Sequence, residues 1–195
     1  MIDISLLLFA YILGLFPSAY VFSKAFKHVD VRHAGTGNAG AMNTIVNIGI
    51  LPGVLTLLFD AGKGFLVVYL TMTLSNAESV SVLALFLLIL AHNYNPLMGF
   101  TGGKGFANLG GGLILLSPLT ILAMIGLTTV LLIIFKVPRA TAGIALPFFP
   151  LVIYLQTHNL TLLLGMVPIT IVIFFKHIPT LKEYVTEWRS DEHLF

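Results

Sequence analysis

From Asn108 to Phe135 the chain carries no charged side chain, and further apolar stretches cover Ile4–Phe26, Ile48–Leu74, Val80–Ala91, Thr141–Leu155 and Leu160–Phe175. A helix crosses a bilayer with about 20 mostly apolar residues, since lipid offers no partner to an exposed amide or carbonyl. Only 9% of the 195 residues are charged and 57% are hydrophobic, where a soluble domain carries roughly a quarter charged residues. Polar side chains are too few to coat a water-facing surface. The chain is therefore expected to be an all-α, polytopic membrane protein, one integral domain over residues 1–195 with six or seven transmembrane helices. The run from Ile4 to Val21 has no basic segment before it and no small-residue cleavage site after it, so it reads as a retained span and not a signal peptide. With no cysteine, a disulfide framework, a thiolate metal site and a cysteine nucleophile are excluded. No metal or other cofactor is expected, and a net charge of +2 makes no case for nucleic acid.

Short cytoplasmic loops accumulate Lys and Arg. Lys24, Lys27 and Arg32 lie in the first connection, Lys104 in the third, Lys136 and Arg139 after Phe135, and Lys176, Lys182 and Arg189 in the tail. The connections at Ser75–Ser79 and Thr157–Asn159 have no base. Placing every basic connection inside puts the N-terminus outside and the C-terminus in the cytoplasm of a bacterial inner membrane. Asn108–Phe135 must then enter and leave on one side, turning at Ser117-Pro118. Asn108–Leu116 is only about 14 Å long as a helix, so a short or re-entrant half-helix is expected there. The connections rich in Gly, Asn, Lys and His then all fall on the cytoplasmic face. That suits a one-sided enzyme better than a transporter with broken helices at mid-membrane. The tail after Thr180, with Tyr184 and Trp188, reads either as an amphipathic surface helix or as a polar end.

Four constellations carry chemistry. Gly35-Thr36-Gly37-Asn38-Ala39-Gly40-Ala41-Met42-Asn43 offers close backbone approach to an anion. Gly99-Phe100-Thr101-Gly102-Gly103-Lys104-Gly105 lacks the spacing and the final Ser or Thr of a P-loop; it presents one ammonium on a glycine backbone, a phosphate clamp. Asp60 and Lys63 sit inside a span at i, i+3, where charges pair or work. Their two readings are a structural ion pair and an orienting role for the loops. His92 and the Lys176-His177 pair end spans on the same face, without the further ligands a metal requires. No Gly-x-Ser-x-Gly elbow occurs, so a covalent intermediate on such a serine is not expected.

These residues have a familiar order. Gly35-Thr36-Gly37-Asn38-x-Gly40-Ala41-x-Asn43, Asp60-x-x-Lys63-Gly64, His92 followed by Gly102-Gly103-Lys104-Gly105, and Lys176-His177 resemble the acyl-phosphate-dependent glycerol-3-phosphate acyltransferases of bacteria, the PlsY family. The resemblance covers nearly the whole chain. It implies transfer of a fatty acyl group from acyl phosphate to the 1-hydroxyl of glycerol 3-phosphate, giving lysophosphatidic acid for phospholipid synthesis. It also implies catalytic roles for Lys104, His177, Asn38 and Asn43. Gly35, Thr36, Gly37, Gly40, Asp60, Lys63, His92, Gly102, Gly103 and Gly105 would bind substrate. Membrane lipid and a soluble acyl-phosphate-producing enzyme are the implied partners. Three positions depart from the family pattern: Val46 stands for an arginine, Ala142 falls where a serine-bearing segment is expected, and Thr180 stands for an asparagine. They leave open another acceptor or a non-catalytic paralogue that binds acyl phosphate.

Overall fold

The structure, a computed structural model, describes the backbone of residues 1–136 and 138–189 and the side chains of 1–136 and 141–182. Arg139 of the connection after Phe135, and Tyr184 and Trp188 of the tail, have side chains outside the described residues. Ten α-helices and no strand occur among the described residues. The chain divides into two compact units, Met1–Pro118 and Leu119–Phe195.

Unit 1 begins with a span in two pieces, α1 (Ile2–Gly14) and α2 (Ser18–Lys27). Pro17 has no amide to continue the ladder, so the helix breaks at Leu15–Pro17. A short α3 (Ala41–Asn47) precedes α4 (Ile50–Leu74), which packs against every other helix of the unit. Next come α5 (Glu78–Asn93) and α6 (Phe106–Leu116). Helices α4 and α6 approach through bare glycines: a Cβ on Gly64 would lie 2.8 Å from the Asn108 carbonyl carbon, and one on Gly111 would lie 2.7 Å from that of Ala61. Val67, Val68, Leu85, Leu88, Ile89, Leu109 and Leu113, from α4, α5 and α6, are buried in the unit. The three glycines at 110–112 belong to the helix interior.

Unit 2 comprises α7 (Pro118–Phe135), α8 (Pro138–Ala145), α9 (Phe149–Thr157) and α10 (Leu160–Arg189). Leu146, Ile153, Leu162, Met166, Ile169 and Ile173 form its core. Thr120 Oγ1 donates to Gln156 Oε1 at 2.7 Å, and Gln156 Nε2 donates to the Leu119 carbonyl at 3.3 Å. This side-chain amide thus finds partners within the unit, as a polar group in lipid must.

Among the described residues, five helices are long and apolar enough to cross a membrane: Ile2–Lys27, Ile50–Leu74, Glu78–Met98, Pro118–Phe135 and Leu160–Lys182. Two shorter apolar helices, Phe106–Leu116 and Thr141–Thr157, complete the set. The break at Ser117 falls where the proline placed it. It leaves an 11-residue α6, about 16 Å long, and an 18-residue α7, about 27 Å long. Thr141–Leu155, expected as one span, is segmented: a 3-10 turn at Leu146–Phe148 separates α8 from α9, with Pro147 and Pro150 interrupting the ladder.

Candidate active site

In unit 1 the loop between α2 and α3 meets the loop between α5 and α6. The first is organised by Asn43, which is 6% exposed. Its Nδ2 donates to the carbonyls of Val31, Ala34 and Asn38 at 3.2, 3.0 and 3.0 Å. Its Oδ1 accepts from the Thr36 amide at 3.1 Å and from Asn47 Nδ2 at 2.9 Å. The Asn43 amide is thus engaged within the loop and holds its shape. Gly35 (φ 53°) and Gly37 (φ 69°) take left-handed conformations that a side chain would strain. Thr36 is exposed between them, and Asn38 and Gly40 are half-buried. On α3, Val46 is 71% exposed, so an apolar side chain projects where the resemblance places an arginine.

The second loop is held by the end of α5. The Asn93 carbonyl accepts from the Gly102 amide at 3.2 Å, and Asn93 Nδ2 donates to the Lys104 carbonyl at 3.2 Å. Gly105 (φ 83°) caps α6. Gly103 is buried where the loops touch: a Cβ there would lie 2.9 Å from the Ala39 carbonyl and 3.0 Å from His92 Cε1. Lys104, half-buried, follows this junction in the chain.

Arg32, read from the sequence only as a topological signal, straps the two loops together. It pairs with Asp30 at 2.7 Å, donates to the Met98 carbonyl at 3.0 Å, and lies 5.6 Å from the Tyr20 ring centroid. The side-chain hydrogen bond from Arg32 holds the Asp30 carboxyl down at about 2. A carboxylate whose folded pKa lies below its unfolded value stabilises the fold above the unfolded value and ceases to as pH falls through the folded one. Asp30→Asn is therefore expected to lower the thermal midpoint by a constant amount above roughly pH 5, the difference fading between about pH 4 and pH 2. Midpoints of both proteins across that range check it.

Beneath the loops lies a buried polar chain. Asp60 Oδ1 accepts from Lys63 Nζ at 2.8 Å and from Ser18 Oγ at 2.5 Å, and stands 3.9 Å from His92 Nδ1. Lys63 Nζ also donates to the Phe16 carbonyl at 3.1 Å. The Leu15 carbonyl accepts from Asn95 Nδ2 at 2.7 Å. The carbonyls freed by the helix break are thus the partners of Lys63 and Asn95. Pro17 inside the apolar run Ile4–Phe26 is the signal that could have indicated this, and it was not read from the sequence. Ser18, Asn93 and Asn95 carried no assignment from the sequence.

In unit 2, His177 on α10 is 3% exposed. It lies against Gly143 of α8, where a Cβ would come within 2.8 Å of Nε2. Gly143 carried no sequence signal. Gly143→Ala is expected to push the imidazole aside, lowering activity by about 10-fold to 100-fold for a displacement near 1 Å with little change in thermal midpoint. Activity equal to the parent's would show that the ring position is uncritical. No group of three or more metal-ligating side chains occurs among the described residues.

The family model for glycerol-3-phosphate acyltransferase matches residues 4–187. The chain belongs to this family. Glycerol-3-phosphate acyltransferase 2 of Dehalococcoides mccartyi is 34% identical over 177 residues, covering 91% of this chain and 84% of that protein. The glycerol-3-phosphate acyltransferase of Endomicrobium trichonymphae is 31% identical over 198 residues, covering 100% and 98%. Among solved structures, PlsY, an integral membrane glycerol 3-phosphate acyltransferase, aligns in its glycerol 3-phosphate form with a TM-score of 0.86. The identity is 26%, over 95% of this chain and 93% of that one. Its lysophosphatidic acid form aligns with a TM-score of 0.82. The family membership inferred from the four ordered motifs is thereby borne out.

Proposed function

We propose that this protein transfers a fatty acyl group from acyl phosphate to the 1-hydroxyl of glycerol 3-phosphate, giving lysophosphatidic acid and inorganic phosphate. The observation that carries this is the meeting of two glycine loops at Gly103, with Lys104 following the junction, at one end of a lipid-embedded bundle. A headgroup reaction centre is wanted at such a surface while the acyl tail stays in lipid.

The acceptor hydroxyl oxygen attacks the acyl carbonyl carbon. The new carbon–oxygen ester bond forms, the bond from that carbon to the phosphate oxygen breaks, and phosphate leaves with the electron pair. The hydroxyl proton passes to a phosphate oxygen of a substrate. Acyl phosphate is a mixed anhydride with a good leaving group, so positioning and charge neutralisation supply most of the catalysis. Lys104 and His177 each bind phosphate in this reading. Gly35, Thr36, Gly37, Asn38, Gly40, Gly102 and Gly105 present backbone and short side chains to the headgroups, and Asn43 keeps their loop in shape. The reacting face is cytoplasmic, where a soluble enzyme making acyl phosphate delivers the donor.

A second reading, transfer to a different acceptor, is favoured by Val46, an exposed apolar side chain at a place meant for a phosphate ligand. One assay separates the two. Purified protein is given long-chain acyl phosphate and radiolabelled glycerol 3-phosphate, and labelled lysophosphatidic acid is measured. Its formation supports the proposal. Its absence, with acyl phosphate still bound, removes glycerol 3-phosphate as acceptor.

A further inference from the structure

The reaction just proposed gives no task to the buried polar chain of unit 1. Asp60 and Lys63 have side chains 3% and 2% exposed. A buried ion pair is roughly neutral in stability against a well-packed apolar pair, so stability alone does not account for two charges inside a membrane span. The geometry around them does. Asp60 Oδ1 is fixed by Ser18 and Lys63, and the pair is anchored on the carbonyl of Phe16. The carboxylate faces His92 Nδ1 at 3.9 Å. That is too long for a hydrogen bond but close enough to favour an N–H at that ring position. The other side of the ring lies on Gly103, the contact that its missing Cβ permits, and Gly102 packs within 2.9 Å of the Asn93 carbonyl by the same measure. Two consecutive residues of α5, His92 and Asn93, thereby fix Gly102, Gly103 and Lys104.

We infer that Asp60 is a positioning residue for acyl transfer: held by Ser18 and Lys63, it orients His92 against Gly103 and so sets the backbone that carries Lys104. This rests on the reading of Lys104 as a phosphate ligand. Asp60, Lys63 and His92 then act on the loop and not on the substrate.

The test compares two full-length double variants that both lack the ion pair. Asp60→Asn with Lys63→Met keeps an oxygen facing Ser18 and His92; Asp60→Leu with Lys63→Met keeps none. The asparagine variant is expected to retain lysophosphatidic acid formation within about fivefold of the parent. The leucine variant is expected to lose about 100-fold, the scale of an ångström-sized misplacement. Hydrogen–deuterium exchange at residues 99–106 is expected to rise in the leucine variant alone, with thermal midpoints alike. Two double variants that behave alike in transfer and in loop exchange overturn the proposal. Should the leucine variant not fold, His92→Leu, which leaves the ion pair whole, takes its place: a drop of about 100-fold is expected, and undiminished transfer overturns the proposal. A parent that makes no lysophosphatidic acid sinks the functional reading instead, and loop exchange still decides the positioning.

Discussion

Lys104→Ala is expected to lower lysophosphatidic acid formation by about 100-fold to 1,000-fold while leaving the thermal midpoint unchanged. The magnitude is that of removing one preorganised stabiliser of developing negative charge. It applies because the backbone under Lys104 is fixed: its carbonyl accepts from Asn93, Gly103 is wedged against Ala39 and His92, and Gly105 begins α6. A fixed base confines the ammonium to the reach of its own side chain. Lys104→Arg keeps the charge but spreads it over a planar fork, and is expected to recover only part of the rate. Rates and midpoints of the two variants check this. An alanine variant within about tenfold of the parent would remove Lys104 from the chemistry.

The second large effect concerns assembly. Gly64→Val and Gly111→Val are each expected to destabilise the protein by about 3 kcal/mol or more, at the upper end for overpacking. The atoms a new side chain would strike are helix backbone, the carbonyls of Asn108 and Ala61, which cannot rotate away as a side chain would. The neighbours supply the control. Nothing lies within 4 Å of a Cβ placed on Gly62 or Gly110, so alanine there is expected to be neutral or stabilising by about 0.5–1 kcal/mol. Midpoints of the four single variants in detergent test the pairing of positions. Equal loss at Gly110 and Gly111 would mean that the α4–α6 contact does not set the cost.

The spans were legible because lipid imposes a length and a composition that hydropathy alone detects. The half-length α6 was legible from Ser117-Pro118. The segmentation of Thr141–Leu155 was not anticipated, although Pro147 and Pro150 stand in the sequence, since apolar composition says nothing about where a ladder stops. In the site, the glycine loops and Lys104 declared themselves by local pattern. The roles of their supports did not. Asn43 looks like a reactive amide in sequence and is the hub of its loop in space. Ser18 meets Asp60 from 42 positions away, and Gly143 meets His177 from another helix. No periodicity reports partnerships of that separation. Arg32 was counted as a charge, whereas its work is geometric.

The broken first span also dictates an order of synthesis. While only α1 and α2 have been made, the Phe16 carbonyl already accepts from the Ser18 amide but the Leu15 carbonyl has nothing to accept from, and hydrocarbon charges about 2–7 kcal/mol for such a group. Its eventual donor, Asn95, leaves the ribosome much later. The nascent span therefore cannot settle in lipid in its final shape. It must wait at the insertion machinery, or straddle a wet boundary, until the end of α5 arrives to close it. Chains truncated before Asn95 are the ones a membrane quality-control protease should find.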